Sequence, residues 1–347
     1  MVVDDGAVIS PFFVVFMGLC RLLASVEGHA LSTITILEAL KRLFYLAILI
    51  PCGARIALAQ ELAPRAYIIV PTHSNAVTFT WSFYDGGIDF NGAVPASNAT
   101  GIYSVPVLSY YHAFSFFGRS TNFTGVLPYG VGNFKGNING SEQSSYRSGL
   151  LDASARLSVN LFGGPAMPLQ EFRKWKQNTI VGASVKIIVP TGQYGPAKLV
   201  NWGSNRWSFK PELGLSRRIG NWILDGYGGA WLYATNPAFG VGIPKPLPQT
   251  EAPIGSFEGH LSYDFKKVGL WASFDGNFWW GGTTALEGNT NPATTQRSSR
   301  LGGTFSVPIA KHQTIKVSYS DGTYVRFGSN YNNLQVAWQY SWIGKRW

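Results

Sequence analysis

From about residue 76 to residue 342 the chain alternates apolar and polar residues with a period of two, in runs separated by Gly-, Asn- and Pro-rich breaks. The clearest run closes the pattern. Leu334, Val336, Trp338, Tyr340 and Trp342 interleave with Gln335, Ala337, Gln339 and Ser341. A period of two places the two sets on opposite faces of a β-strand. The same pattern predicts strands over about 76–84, 102–116, 120–131, 148–161, 178–190, 206–216, 222–234, 255–265, 270–280, 297–309, 313–327 and 334–342. In the first, Val77, Phe79, Trp81 and Phe83 oppose Thr78, Thr80 and Ser82. In the fourth, Leu151, Ala153, Ala155, Leu157, Val159 and Leu161 oppose Asp152, Ser154, Arg156, Ser158 and Asn160. The second is ambiguous, because Tyr110, Tyr111, Phe114, Phe116 and Phe117 occupy both parities.

Twelve strands is an even number, and their connections alternate in length. Breaks near residues 85, 132, 191, 236 and 281 are long, and those at 118, 220, 267 and 311 are short. Short turns on one side, long loops on the other and an apolar face on every strand are the pattern of a bacterial outer-membrane barrel. The long link 162–177 and the short link 328–331 depart from it. The expected fold is therefore all-β, a transmembrane antiparallel up-and-down β-barrel of about twelve strands. A soluble sandwich would share the Gly-rich turns but has no need of an aromatic band outside. The phase of the last run predicts closure at Trp342. Trp338, Tyr340 and Trp342 are then the recognition end for the barrel assembly machinery, and residues 343–347 are a short overhang.

Composition agrees. The 347 residues include 40 Gly, 22 Phe, 16 Tyr and 12 Trp, with only 13% charged. The first part of the chain differs. Lys41 and Arg42 precede the apolar run 43–59, which ends in Ala57, Leu58 and Ala59. That is a positive n-region, an h-region and a small-residue cleavage site, as in a secretory signal peptide. Residues 1–59 are expected to be a leader cleaved near Ala59/Gln60, and 60–347 the barrel domain. Both cysteines, Cys20 and Cys52, precede the barrel, so no disulfide or thiol chemistry is expected there. The net charge of +10 is spread without a basic stripe. With export, this points away from nucleic acid and towards the phosphates of lipopolysaccharide.

Charged residues fall in the phase opposite the apolar one. A Lys or Arg facing mid-bilayer costs about 2–4 kcal/mol, so this segregation follows from stability alone. Candidate lumen-lining residues are Arg156, Lys186, Lys210, Glu212, Glu258, Asp275, Arg300 and Arg326. Asp321 falls in the lipid phase, and a β-bulge beside Gly322 would rephase it. Enzyme signals are few. His260 and Ser262 share a strand face, but Leu261, Tyr263 and Phe265 claim the lipid side, so the pair points inward to pack the lumen. His73, His112 and His312 have no metal-ligand spacing, and no phosphate loop or nucleophile elbow is present. No cofactor or metal is expected. Expected partners are outer-membrane lipids and lipopolysaccharide, the assembly machinery and a small-molecule solute.

Several runs resemble one family. RLSVNLFGGPA (156–166), TIVGASV (179–185), PTGQY (190–194), KLVNWGSNRWSFKPELG (198–214), WWGG (279–282), RSSRLG (297–302) and AWQY (337–340) are similar to the outer-membrane family named for the meta-pathway of phenol degradation. The resemblance covers about 65–342. It implies an outer-membrane transporter linked to breakdown of aromatic compounds, and brings no catalytic or binding motif with it. The expected function is passive passage of small solutes, aromatic or hydrophobic. The alternatives are an outer-membrane hydrolase and a structural barrel with a plugged lumen.

Overall fold

Alternation becomes ladder pairing almost throughout. The computed structural model describes residues 62–89, 96–138, 140–240 and 245–344. The expected leader and its cleavage site lie outside the described residues, as do residues 345–347. In chain order the strands are β1 (Ser74–Asp89), β2 (Ala96–Phe116), β3 (Arg119–Ile138), β4 (Ser141–Leu150) and β5 (Ala153–Phe162). A one-turn helix, α1 (Leu169–Phe172), precedes β6 (Thr179–Val189), β7 (Ser208–Ile219), β8 (Trp222–Tyr233), β9 (Asn236–Phe239) and β10 (Leu247–Glu251). Then come β11 (Ile254–Phe265), β12 (Leu270–Gly281), β13 (Thr284–Leu286), β14 (Asn289–Asn291), β15 (Gln296–Ala310), β16 (Gln313–Val325) and β17 (Gly328–Ile343).

β4 and β5 both pair with β3 and share one position in the wall. Each remaining barrel strand pairs antiparallel with its neighbours, and β17 returns to β1, closing a twelve-strand barrel. β9, β10, β13 and β14 form a separate four-stranded sheet from the loops after β8 and β12. The outside is apolar. Leu213 is 62% exposed, while Lys210 and Ser216 in the opposite phase of the same strand are buried, as is Ser184, the β6 partner of Glu212. Phe79, Trp81, Phe83, Leu108, Tyr110, Phe257 and Leu261 are also exposed. Water would penalise such a surface, and lipid does not. The phase of β2 is resolved by this: Leu108, Tyr110 and Phe116 face out, and Tyr111 faces in.

Four expectations need correction. The polar stretch 132–147 is not a loop, because β3 runs to Ile138 and β4 begins at Ser141. Those residues alternate without an apolar face because they stand clear of the membrane, where none is required. β2 likewise begins at Ala96, not 102. The single fourth strand is broken at Leu151–Asp152, where the β3 register slips by one residue; Leu151 therefore turns inward, against the lipid-facing phase it was given. The last strand reaches Ile343, which pairs with Ser74, so the overhang is one residue shorter than its phase suggested. At β16 the ladder shifts at Thr323, next to Gly322, but the bulge lies beyond Asp321, which pairs with lipid-facing Leu301 and keeps the outer phase instead of being turned inward.

Candidate functional site

The inward residues enclose a cavity of about 1530 Å³. Its lining runs from Ser341 and His312, at the rim that carries the short turns, to Arg206 and Glu251 at the opposite rim. By the usual orientation of such barrels the first rim is periplasmic and the second extracellular. One wall is uncharged: Thr78, Thr80 and Ser82 of β1 with Gln335 and Gln339 of β17. The facing wall is ionic. Arg156 Nη2 lies 3.2 Å from Glu212 Oε1, and Lys210 Nζ lies 2.6 Å from Glu212 Oε2 and 2.8 Å from Glu258 Oε1. His260 follows, with Nε2 3.6 Å from Glu258 Oε2 and Nδ1 2.8 Å from Asp275 Oδ1. Asp275 Oδ2 accepts from Ser273 Oγ (3.1 Å) and Thr304 Oγ1 (2.9 Å). The result is a chain of alternating charge across β5, β7, β11 and β12. Alternation matters because a buried charge left alone costs several kcal/mol.

Six of the expected lining residues, Arg156, Lys186, Lys210, Glu212, Glu258 and Asp275, therefore meet in one cavity. Two do not. Arg300 is buried in the wall, donating to Ser320 Oγ (2.7 Å) and to the Tyr331 carbonyl (2.8 Å). Arg326 is exposed in the turn between β16 and β17, outside the lumen. The bulge at Thr323 reverses the phase of β16, so Arg326 follows Tyr324 outward and not Ser318 and Ser320 inward. His260 and Ser262 both face inward, as their phase predicts, but His260 is engaged by Asp275, and Ser262 Oγ has no hydrogen-bond partner among the described residues.

Residues 62–73, which precede β1, enter the periplasmic half of the lumen. Arg65 Nη2 lies 2.7 Å from Asp264 Oδ1, its N–H donates to Asp225 Oδ2 (3.2 Å), and its guanidinium sits 4.2 Å over Trp271. The Ala66 N–H donates to Tyr227 Oη (3.1 Å). The Tyr67 hydroxyl donates to Glu212 Oε1 (3.0 Å) and lies 3.0 Å from Ser184 Oγ. Burial, reinforced by Glu212, pushes that hydroxyl up to about 12, so it is a neutral donor. The ring meets Tyr227 edge-on at 5.1 Å. It rests on a bare patch of wall: Gly182 and Gly214 are register partners, and a Cβ on either would overlap the ring. Ile69 packs with Met167 and Ile180, and Phe172 and Trp175 of the 163–178 link cover them. That link is long, on the side where turns are short, because it closes over this segment. Arg65 and His73 both adopt left-handed φ, 66° and 63°, which non-glycine residues hold only when their surroundings impose it.

On the extracellular side the loop 190–207 folds inward. Asp152, at the break between β4 and β5, accepts from the Gly192 N–H (2.9 Å), the Ser204 N–H (2.8 Å) and Ser204 Oγ (2.6 Å). The loop carries Trp202 onto Tyr103 and Phe134, with ring centroids 5.6 and 5.7 Å apart. Arg206 pairs with Glu251 at the rim. Sequence phase put Asp152 in the inward set but could not show that it anchors a loop; Tyr67 and Trp202 gave no periodic signal.

The family model described as "Putative MetA-pathway of phenol degradation" matches residues 82–337. No curated protein matches the chain. Among solved structures, an outer membrane channel from Pseudomonas putida F1 superposes with a TM-score of 0.65 at 15% identity, covering 81% of this chain and 100% of that one. The β domain of the Bordetella autotransporter BrkA gives 0.44 at 12% identity over 78% of this chain and 100% of that one. Outer membrane phospholipase A from Escherichia coli gives 0.34 at 14% identity over 81% and 94%.

Proposed function

The chain belongs to the phenol MetA-pathway family, and from that membership together with the geometry of the lumen we propose that it is an outer-membrane channel passing small solutes, aromatic and hydrophobic compounds among them, by passive diffusion. The observation that carries this reading is the cavity that reaches from rim to rim of a closed barrel beside the docked residues 62–73. Those residues narrow the path, and their displacement widens it. Aromatic solutes suit the lining, because Tyr84, Tyr111, Trp231, Tyr233 and Trp279 lie in the inward phase along the cavity. Ring pairs of this kind contribute about 0.5–1.5 kcal/mol each, enough to bind and release a small ring reversibly. The ionic wall and the hydroxyl-rich wall keep the path wet. Lipopolysaccharide and lipid surround the barrel on this reading. The assembly machinery reads the end of β17, where Trp338, Tyr340 and Trp342 share the outward phase.

The test is entry of hydroxybenzoates, which cross bare bilayers slowly, into liposomes holding the purified barrel. Faster entry than into empty liposomes supports the channel. Equal entry, with the barrel shown to be folded and inserted, removes it.

A further inference from the structure

Arg326 was expected inside and stands outside. Its N–H donates to the Arg297 carbonyl (3.2 Å). Below this contact β15 and β16 pair Ser298 with Val325 and Ser299 with Tyr324. The next pair up is therefore Arg297 with Arg326, directly opposite each other. On its other side Arg297 pairs with Trp280 of β12. Leu301 shares the parity of Arg297 along β15 and is exposed on the lipid side, as are Trp280 and Tyr324 on their strands. So a row of Trp280, Arg297 and Arg326 faces outward across three strands.

The row beneath it holds Phe278, Ser299 and Tyr324. Phe278 and Trp280 stack at 5.3 Å. Aromatic residues of this kind mark the boundary between hydrocarbon and headgroups. Two residues further along a strand is about 7 Å, which carries the arginines to headgroup level. This is the rim opposite Ser74 and Ile343, where the strand termini lie, and so the outer leaflet.

Two like charges directly opposite on neighbouring strands repel. Both arginines are exposed, and neither makes an ion pair among the described residues. An anion between them would turn the repulsion into attraction, and the planar guanidinium fork suits phosphate oxygens. We propose that Arg297 and Arg326 form a clamp for a phosphate of lipid A, the glycolipid of the outer leaflet, with Trp280 packing beside its sugar and acyl chains.

The test is native mass spectrometry of the purified full chain in detergent, titrated with bisphosphorylated lipid A and with its dephosphorylated form. The wild type should prefer the phosphorylated form by about tenfold or more, as charge-assisted contacts to two arginines require. Arg297→Gln combined with Arg326→Gln should abolish that preference. Arg217→Gln should not, because Arg217 is an exposed outward residue at the periplasmic rim, donating to Thr179 Oγ1. Inorganic phosphate at the same concentration should not compete. Equal affinity for the two lipids, or equal losses in the double variant and in Arg217→Gln, overturns the clamp. Competition by inorganic phosphate assigns the pair to a free anion and also overturns it. Heat-modifiable migration reports that each variant is folded, and the single variants stand in if the double one is not. None of these readouts depends on conductance, so they are independent of the channel reading.

Discussion

Replacing Tyr67 by alanine should release residues 62–73 from the lumen. The substitution removes a charge-assisted hydrogen bond to Glu212, worth about 1.5–3 kcal/mol, and an edge-on ring contact with Tyr227, worth about 0.5–1.5 kcal/mol. Arg65 keeps its ion pair to Asp264 and Ala66 its bond to Tyr227, so the segment is weakened and not deleted. A net loss of about 3 kcal/mol at about 1.4 kcal/mol per decade raises the undocked fraction on the order of a hundredfold. The strain at Arg65 and His73 works in the same direction, since undocking relieves it. The assay is labelling of Ile69→Cys, introduced into both proteins, with a membrane-impermeant maleimide. Both native cysteines precede the described residues, and Ile69 is buried when docked. The labelling rate should rise by about the same factor as the undocked fraction when undocking is limiting. An unchanged rate, in a barrel that still shows heat-modifiable migration, would refute the docking energetics. Gly214→Val reaches the same end from the wall, because its Cβ displaces the ring, and it should raise labelling without touching residues 62–73.

Lys210→Met should lower barrel stability by about 3–5 kcal/mol, because Glu212 and Glu258 lose the cation between them; the shift in the urea unfolding midpoint checks this. Adding Glu258→Gln to Lys210→Met should recover part of the loss. Asp152→Asn weakens three hydrogen bonds at once and should loosen loop 190–207, read as faster cleavage of that loop by protease added to intact cells, with the barrel core resistant. Removing residues 344–347 should leave insertion into the outer membrane intact, whereas removing Ile343 as well breaks its pairing with Ser74 and should slow assembly; surface proteolysis and heat-modifiable migration distinguish the two.

The barrel was legible because lipid on one side and water on the other write a period of two into every membrane-crossing stretch. Leu213 beside Glu212 and Phe274 beside Asp275 each announce a face. The signal fades wherever one solvent surrounds both faces. That is why β3 beyond residue 131 and all of β4 before 148 read as loop although they pair fully. Arg326 shows the converse error: the bulge at Thr323 reverses the phase of β16, so the even positions that line the lumen at Lys316 and Ser318 face outward from Tyr324 onward. Six lining residues were recoverable because charge is excluded from the lipid side. Residues 62–73 were not recoverable, since their binding surface is made of Gly182 and Gly214, which are 32 positions apart and meet only through register. The same holds for Asp152, whose partners lie on a loop reached through the fold.

Single-channel recording from the purified barrel in a planar bilayer tests the through-path most directly. Discrete conductance steps are expected in the wild type, with larger steps or longer open times in Tyr67→Ala. Silent bilayers for both proteins, with insertion verified by protease protection, would contradict it and leave a barrel with a sealed lumen.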